Sequence, residues 1–149
     1  MIADINYETI FPIWRDDLWP NRNSPIETHS AMLHFYTEYD MGNFLLPAWY
    51  LGYYVNDKLI GVNSGHMCVD GSTRSRGLWV NPAFRGKGIG KQLLQYRINI
   101  IKNKPEISSI IVNTSQLVEA FYAANGFVRI AQEKDFWGVG IDLVRMEFQ

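Results

Sequence analysis

Hydrophobic and polar positions follow a helical period and then a strand period in the second half of the chain. From about Gly88 to Lys102, apolar side chains share one side of a helical wheel. Pro105 follows and cannot continue a helix. Ser115 suits the N-cap of a second helix, and Gly126 suits the position just past its end. The predicted elements are a helix over 88–102, a strand over 107–113, a helix over 116–125, and strands over 127–134 and 141–148.

The first half is rich in aromatic residues and interrupted by prolines, which favours short elements. Turn pairs at Asn56-Asp57 and Asp70-Gly71 separate runs that are typical of strands. The predicted elements here are helices over 8–18 and 28–39 and strands over 47–55, 58–69 and 72–80. Together with the later order of strand, glycine turn, helix, strand, helix and strand, this predicts an α/β fold in one domain spanning 1–149.

The composition narrows the class of protein. With 149 residues, 47% of them hydrophobic, the chain can bury a core and is not typical of disordered, collagen-like or disulfide-rich proteins. Cys68 is the only cysteine and is expected to be a small buried strand residue. Three histidines without ligand spacing predict no metal site. Without a long apolar run or a signal-like start, a soluble cytoplasmic protein with no membrane partner is expected.

The net charge of −1 conceals two opposed regions. Residues 1–57 carry a net charge of −6, whereas residues 71–105 carry eight bases and no acid. This asymmetry indicates that the middle of the chain meets an anion, although a solvated basic face fits about equally well. Arg97 falls among the apolar positions of the helix over 88–102, so it either snorkels to the surface or has a partner inside.

The segment 80–90, VNPAFRGKGIG, ends a strand, alternates glycines and begins a helix. Backbone N–H groups at a helix N-terminus form a nest for phosphate, and glycines allow a close approach. Arg85, Lys87 and Lys91 add positive charge beside that nest. The Walker A pattern fails because Gln92 stands where Ser or Thr is needed, and G-x-G-x-G is not the Rossmann spacing. The turn therefore predicts a phosphate-bearing ligand rather than a bare connection.

A second motif, AFYAANGF at 120–127, follows about 35 residues after the glycine turn. With Arg85-x-x-Gly88-x-Gly90 it resembles two signatures of the GNAT superfamily of N-acetyltransferases: an acyl-CoA pyrophosphate motif, and a helix tyrosine before a Gly-Phe pair. The resemblance covers residues 50–149 well. It implies a central, mixed, mostly antiparallel sheet of six to seven strands with about four helices. The strands on either side of the first motif's helix would splay apart.

The resemblance also implies acetyl-CoA as cosubstrate and direct attack of a primary amine, of a small molecule or a peptide, on the thioester. Pantetheine would lie between the splayed strands, against the backbone of Leu78, Trp79 and Val80. The residues implied to hold the pyrophosphate are Arg85, Gly86, Lys87, Gly88, Ile89, Gly90 and Lys91. The Val80 amide would donate to the oxyanion, and Tyr122 would contact the cofactor and protonate the departing thiolate.

Two positions depart from the family pattern. Many relatives carry an asparagine where this chain has Ser115; Asn113 is the preferred cofactor contact instead, and a cap or turn role is equally open. The strand over 72–80 holds no acid that could act as general base. The alternatives for the base are His66, Asp70, Glu27, His29 or water.

Other interpretations stay open at this point. The acidic, aromatic first third is a candidate amine site, because carboxylates attract cations and aromatic rings stack on them, but a core role for the rings fits as well. The missing base leaves room for a non-catalytic acyl-CoA sensor or interaction module on the same fold. A nucleic-acid partner is not expected, because the bases surround one phosphate nest. A homodimer is compatible with the sequence.

Overall fold

The computed structural model describes residues 1–18 and 44–149, and within these ranges a mixed sheet of seven strands forms its centre. The strands are β1 (Ile2–Asp4), β2 (Phe44–Val55), β3 (Lys58–Cys68), β4 (Ser72–Val80), β5 (Ser109–Thr114), β6 (Phe127–Gly138) and β7 (Ile141–Phe148). Their order is β1-β2-β3-β4-β5-β7-β6. Only β4 and β5 pair in parallel, so the predicted mixed, mostly antiparallel sheet is confirmed.

Three α-helices lie in the described ranges: α1 (Tyr7–Ile13), α2 (Ile89–Ile101) and α3 (Glu119–Ala123). A π-helical turn over Trp14–Leu18 extends α1, which confirms the helix predicted over 8–18. The helix predicted over 28–39 lies outside the described residues. None of the described helices is long and apolar enough to cross a membrane.

The two predicted hairpin turns set the register of β2, β3 and β4. Asn56 and Asp57 both have positive φ, 49° and 63°, as a tight hairpin turn requires. At the next turn the Asp70 carboxylate accepts a hydrogen bond from the Ser72 N–H at 2.9 Å, and Gly71 has a φ of 85°. The strands therefore begin and end close to the predicted positions.

One face of α2 packs on the sheet, in a stripe narrower than the helical wheel predicts. Its buried residues are Ile89, Leu93, Leu94, Arg97, Ile98 and Ile101. Ile100, which the wheel assigns to the apolar side, is instead 38% exposed. The buried stripe meets β3 at Gly61 and Gly65, where no side chain separates helix from strand.

Helix α3 is shorter than predicted, because its expected first turn is held in a loop. The helix begins at Glu119 rather than Gln116. The Gln116 side chain donates to the Gly140 carbonyl at 2.7 Å and accepts from the Asp142 N–H at 2.9 Å, which ties this loop to the β6–β7 hairpin. Ser115 caps a turn in the loop, not the helix itself.

Candidate functional site

The sheet opens between β4 and β5. Their parallel register runs from Ser72 opposite Ser109 to Ser75 opposite Val112, and it stops halfway along β4. The second half of β4 therefore keeps β3 as its neighbour, and no strand of the described residues pairs with its other side. This is the splay that the family resemblance implies.

A bulge in β4 accompanies the opening. Gly77 and Leu78 together oppose a single residue of β3, Asn63, and such an extra residue bends its strand. Gly77 has a φ of 66°, and its carbonyl accepts a hydrogen bond from Trp14 Nε1 at 3.0 Å. A Cβ at Gly77 would lie 2.1 Å from that nitrogen, so the bulge requires glycine. Trp14 is a buried support for the bulge and not an exposed ring for a cation.

A cavity of about 280 Å³ occupies the opening. Because side chains alternate along a strand, it has walls on both faces of the sheet: Ser75 and Tyr122 on the α2 side, Arg74 and Asn113 on the other. Leu78 lines it from the bulge. Among the described lining residues, Arg74 is the only charged side chain, and none is histidine, aspartate or glutamate.

Tyr122 lies on α3 and is 6% exposed. Burial raises the pKa of Tyr122 to about 12, and the charge of Arg97 and the Ser75 hydroxyl oppose that shift. The phenol is therefore protonated at neutral pH and is available as a hydrogen-bond donor. Ser75 is in turn connected to the buried Asn63, whose Oδ1 lies 3.4 Å from the Ser75 hydroxyl.

Arg97 has a partner in the interior and does not snorkel. The side chain is 1% exposed, and its Nη2 donates to the Arg74 carbonyl of β4 at 2.7 Å. The guanidinium fills the space that a side chain at Gly65 would need. Burial lowers the pKa of Arg97 to about 10, so it still carries its charge at neutral pH beneath Tyr122.

The end of β4 offers backbone groups to the opening. The Asn81 N–H donates to the Ile60 carbonyl at 2.7 Å, so Val80, opposite Gly61, is a non-hydrogen-bonded position. The N–H and C=O groups of Val80 therefore point away from β3, and Arg85 Nε binds the carbonyl at 2.7 Å. The free edge of β4 thus leads from the bulge to the glycine turn.

The three predicted backbone contacts on β4 have different surroundings. Leu78 lines the cavity, while Val80 faces the opening from outside the cavity lining. Trp79 pairs with Val62 of β3, and its ring packs beside Trp14 and Ile10 on the face away from α2. The backbone of Trp79 is therefore occupied by β3.

The glycine turn has the geometry of an anion nest. Gly86 and Gly88 have φ values of 76° and 80°, and apart from the adjacent residues no described atom lies closer than 4.0 Å to a Cβ built on either. Gly88 is the N-cap of α2, with no side-chain hydrogen bond to the helix and no acid in its first turn. The first amides of α2 are thus left for a ligand.

The bases around this nest lie at the surface. Arg85, Lys87 and Lys91 are exposed, and the Lys87 ammonium lies 5.3 Å from the centre of the Phe84 ring. Ile89 is buried, so only its backbone can meet a ligand. A Cβ at the third glycine, Gly90, would make an ordinary contact with Phe121 of α3 at 3.6 Å, so packing there does not require glycine.

The remaining predicted site residues fall in different places. Asn113 and Ser115 both line the cavity, and Asn113 Oδ1 accepts from Arg145 Nε at 2.9 Å. His66 is buried outside the cavity lining. Asp70 lies in the β3–β4 turn, where hydrogen bonds from Ser72 hold the pKa of its carboxyl below the usual value. The other two candidate bases, residues 27 and 29, lie outside the described residues.

Two features of the site were not predicted. The Trp14–Gly77 pair could have been suspected, because a glycine inside a strand pattern often marks a bulge. Arg74 gave no such signal, since one base among eight reveals nothing about burial. Cys68 is buried as expected, and the described residues hold no cluster of metal ligands.

An uncapped helix start beside a cavity between two parting strands defines a site for an extended ligand with an anionic end. A family model described as an acetyltransferase (GNAT) domain matches residues 42–149. The chain therefore belongs to the GNAT acetyltransferase family, as its motifs predicted. A search among curated protein sequences finds no match.

Solved structures share the fold over nearly their whole length at low sequence identity. An aminoglycoside 6'-N-acetyltransferase complexed with coenzyme A has 12% identity and a TM-score of 0.71, covering 99% of this chain and 95% of the other. An IAA acetyltransferase from Bacillus cereus has 18% identity and a TM-score of 0.72, covering 99% and 97%. A GNAT family acetyltransferase from Elizabethkingia anophelis with acetyl-CoA bound has 18% identity and a TM-score of 0.71, covering 100% and 97%.

Proposed function

We propose that this protein is an acetyl-CoA-dependent N-acetyltransferase that acetylates a primary amine of a small molecule or peptide. The observation that carries the proposal is the continuous path from the uncapped start of α2, along the free edge of β4, into the cavity beside Tyr122. Two structural neighbours solved with coenzyme A or acetyl-CoA support the choice of cosubstrate.

The pyrophosphate of the cofactor would bind at the glycine turn. The amides of residues 86–91 would supply donors, and the exposed bases, Arg85 among them, would supply charge; the Arg85 amide itself already donates to the Pro82 carbonyl. Pantetheine would follow the free edge of β4 past Val80, and Asn113 would contact it from β5. The thioester would then reach the cavity, where Leu78 and Tyr122 both lie.

The reaction is a direct transfer between two substrates. The amine nitrogen attacks the thioester carbon and a tetrahedral oxyanion forms. The C–S bond then breaks, leaving the amide and the thiolate of coenzyme A. The oxyanion needs a backbone donor, for which the sequence predicted the Val80 amide. Leu78 lies at the cavity within the bulge, where two residues of β4 oppose one of β3, so we propose that its N–H performs this role.

Tyr122 would act on the departing thiolate as a hydrogen-bond donor. A phenol with a pKa of about 12 is a poor source of a whole proton for a thiolate whose conjugate acid has a reference pKa of about 8.5. The same apolar surroundings raise the pKa of a thiol placed against the ring, which narrows this difference. A short hydrogen bond stabilises the thiolate without completing the transfer.

The amine would lose its proton to water. No histidine or carboxylate lines the cavity among the described residues, so no side chain there is placed to take the proton. The lack of a base among the described lining residues also fits a non-catalytic acyl-CoA sensor. Release of free thiol from acetyl-CoA across a panel of amines separates the two functions, because turnover with any amine excludes the sensor.

Thermal unfolding with acetyl-CoA tests the cofactor site directly. At about 100 times its Kd a ligand adds about 2.7 kcal/mol, which raises the Tm by roughly 5–10 °C for a domain of this size. Gly88→Glu places a carboxylate at the nest and should abolish the shift. Gly140→Glu is the matched control, because Gly140 also has a positive φ and open space around its Cβ position but lies in the β6–β7 turn. No shift in the wild-type protein at millimolar acetyl-CoA contradicts the proposal.

A further inference from the structure

The cavity contains one described charged side chain that the proposed acetyl transfer leaves without a role. Arg74 of β4 lines the cavity and is 7% exposed. It lies on the face of the sheet away from α2, so it approaches the opening from the side opposite to Ser75. A buried cation is costly unless an anion or several acceptors satisfy it.

The guanidinium of Arg74 is held at one end only. Its Nη1 donates to the Ser72 hydroxyl and, at 3.4 Å, to the Thr73 carbonyl. The Ser72 hydroxyl in turn donates to Asp70, so a turn carboxylate orients the group through a serine. Nε has no hydrogen-bond partner, and no described carboxylate lies within salt-bridge distance of Arg74. Among the described residues, therefore, Nε of the guanidinium lacks an acceptor.

Among the described ionised groups that act on one another at this face, Arg74 and Arg145 are positive and Asp70 is negative. His66 is opposite it on β3, and Arg145 of β7 reaches the same face through its hydrogen bond to Asn113. Asp70 is the acid coupled to this group, and its carboxylate is already engaged by Ser72. A purely cationic acceptor would be repelled here, whereas an anion would gain an oriented donor.

We propose that Arg74 binds a carboxylate of the acceptor, so that the acceptors are amines that also carry a carboxylate, such as amino acids or short peptides. This inference rests on the proposed acetyl transfer and names the acceptor class for the same cavity. It differs from the amine site predicted from the acidic first third, because none of the described acids of residues 1–57 lines the cavity.

Binding of reaction products to the protein saturated with coenzyme A tests the inference. The probes are N-acetyl ω-amino acids of increasing chain length, each compared with its primary amide, which has nearly the same shape without the charge. Calorimetry should show a preference for the acid of at least about 10-fold at one or more lengths, as expected for charge-assisted hydrogen bonds. Arg74→Gln should lose that preference, and Lys102→Gln, which removes an exposed charge at the end of α2, should keep it.

The binding measurements can overturn the proposed role of Arg74 in two ways. Equal or absent binding of acids and amides at every length overturns the inference, and this comparison needs only the wild-type protein. A preference that survives in Arg74→Gln also overturns it. Because the Tm shift with acetyl-CoA is measured on the same samples, failure of the cofactor site is seen separately, and in that case both proposals fall.

Discussion

Gly65→Ala should destabilise the protein strongly, because the Arg97 guanidinium occupies the space of the missing side chain. An alanine Cβ would lie 2.1 Å from Nε, 2.4 Å from Nη2 and 2.5 Å from Cζ of Arg97. The guanidinium would have to retreat by about 1 Å to restore ordinary contacts. At 1% exposure it has no solvent to move into, and retreat would break its 2.7 Å hydrogen bond to the Arg74 carbonyl.

The magnitude follows from these contacts. A hydrogen bond from a charged donor contributes about 1.5–3 kcal/mol, and overpacking a core costs about 1–3 kcal/mol. Since the two effects overlap, we expect a loss of about 3 kcal/mol in the free energy of unfolding, or roughly 6–12 °C in Tm. Gly61→Ala on the same strand and face is the control; its Cβ would lie 3.2 Å from Leu93, and the cost should stay below about 1 kcal/mol.

A double-mutant cycle with Arg97→Met isolates the clash. Methionine removes the guanidinium, so Gly65→Ala should cost under about 1 kcal/mol in that background, and the two changes should couple by about 2 kcal/mol. Urea and thermal unfolding of the four proteins supply the free energies. An equal cost of Gly65→Ala in both backgrounds would refute the assigned contact between Gly65 and Arg97.

Three further predictions concern the site. Tyr122→Phe should lower turnover about 10- to 100-fold and leave the acetyl-CoA Tm shift unchanged, because it removes only the proposed donor to the thiolate; unaltered turnover would remove Tyr122 from the mechanism. The unfolded chain loses the Tyr122 proton near pH 10, whereas the folded protein keeps it to about pH 12. Tyr122 should therefore lower the free energy of unfolding by about 2–3 kcal/mol over that interval, while Arg97, whose folded pKa is lowered to about 10, acts in the opposite direction. The Tyr122 contribution is the difference between the wild-type and Tyr122→Phe proteins in urea titrations at each pH, and equal pH dependence in the two would contradict it. Gly77→Ala should disrupt the bulge by collision with Trp14 and abolish turnover, and an active, equally stable variant would show that the bulge tolerates a side chain.

The sequence predicted most of the sheet because its signals there are local. The turn pair Asn56-Asp57 prescribes a hairpin by its own backbone preferences, and the helix over 88–102 carries its own period and stop signal. The glycine turn was equally predictable, since its glycines act through their own φ values. These features depend on neighbours within a few residues.

The errors arose where a distant partner decides the structure. Residues 116–118 have a plausible helix start, but the Gln116 side chain bonds the β6–β7 hairpin, 24 and 26 residues away in sequence, and keeps them in a loop. The bulge at Gly77 depends in the same way on Trp14, 63 residues earlier. No pattern within a short window contains either contact.

Predictions from charge fail for a similar reason, because a count of basic residues does not show which of them are buried. The eight bases of residues 71–105 suggested one anion-binding face. In the folded protein Arg85 and its neighbours are exposed at the nest, Arg97 supports β4 from inside the core, and Arg74 lies in the cavity. Of these, only Arg85 and its neighbours match the anion-binding face that the charge count predicted. The two buried arginines instead lie on opposite faces of the sheet beside the opening, one beneath Tyr122 and one facing the proposed acceptor. In the proposed reaction their positive charge would favour the thiolate that leaves and a carboxylate that enters. This is one electrostatic reason why a cavity whose described lining contains no acid would suit that reaction.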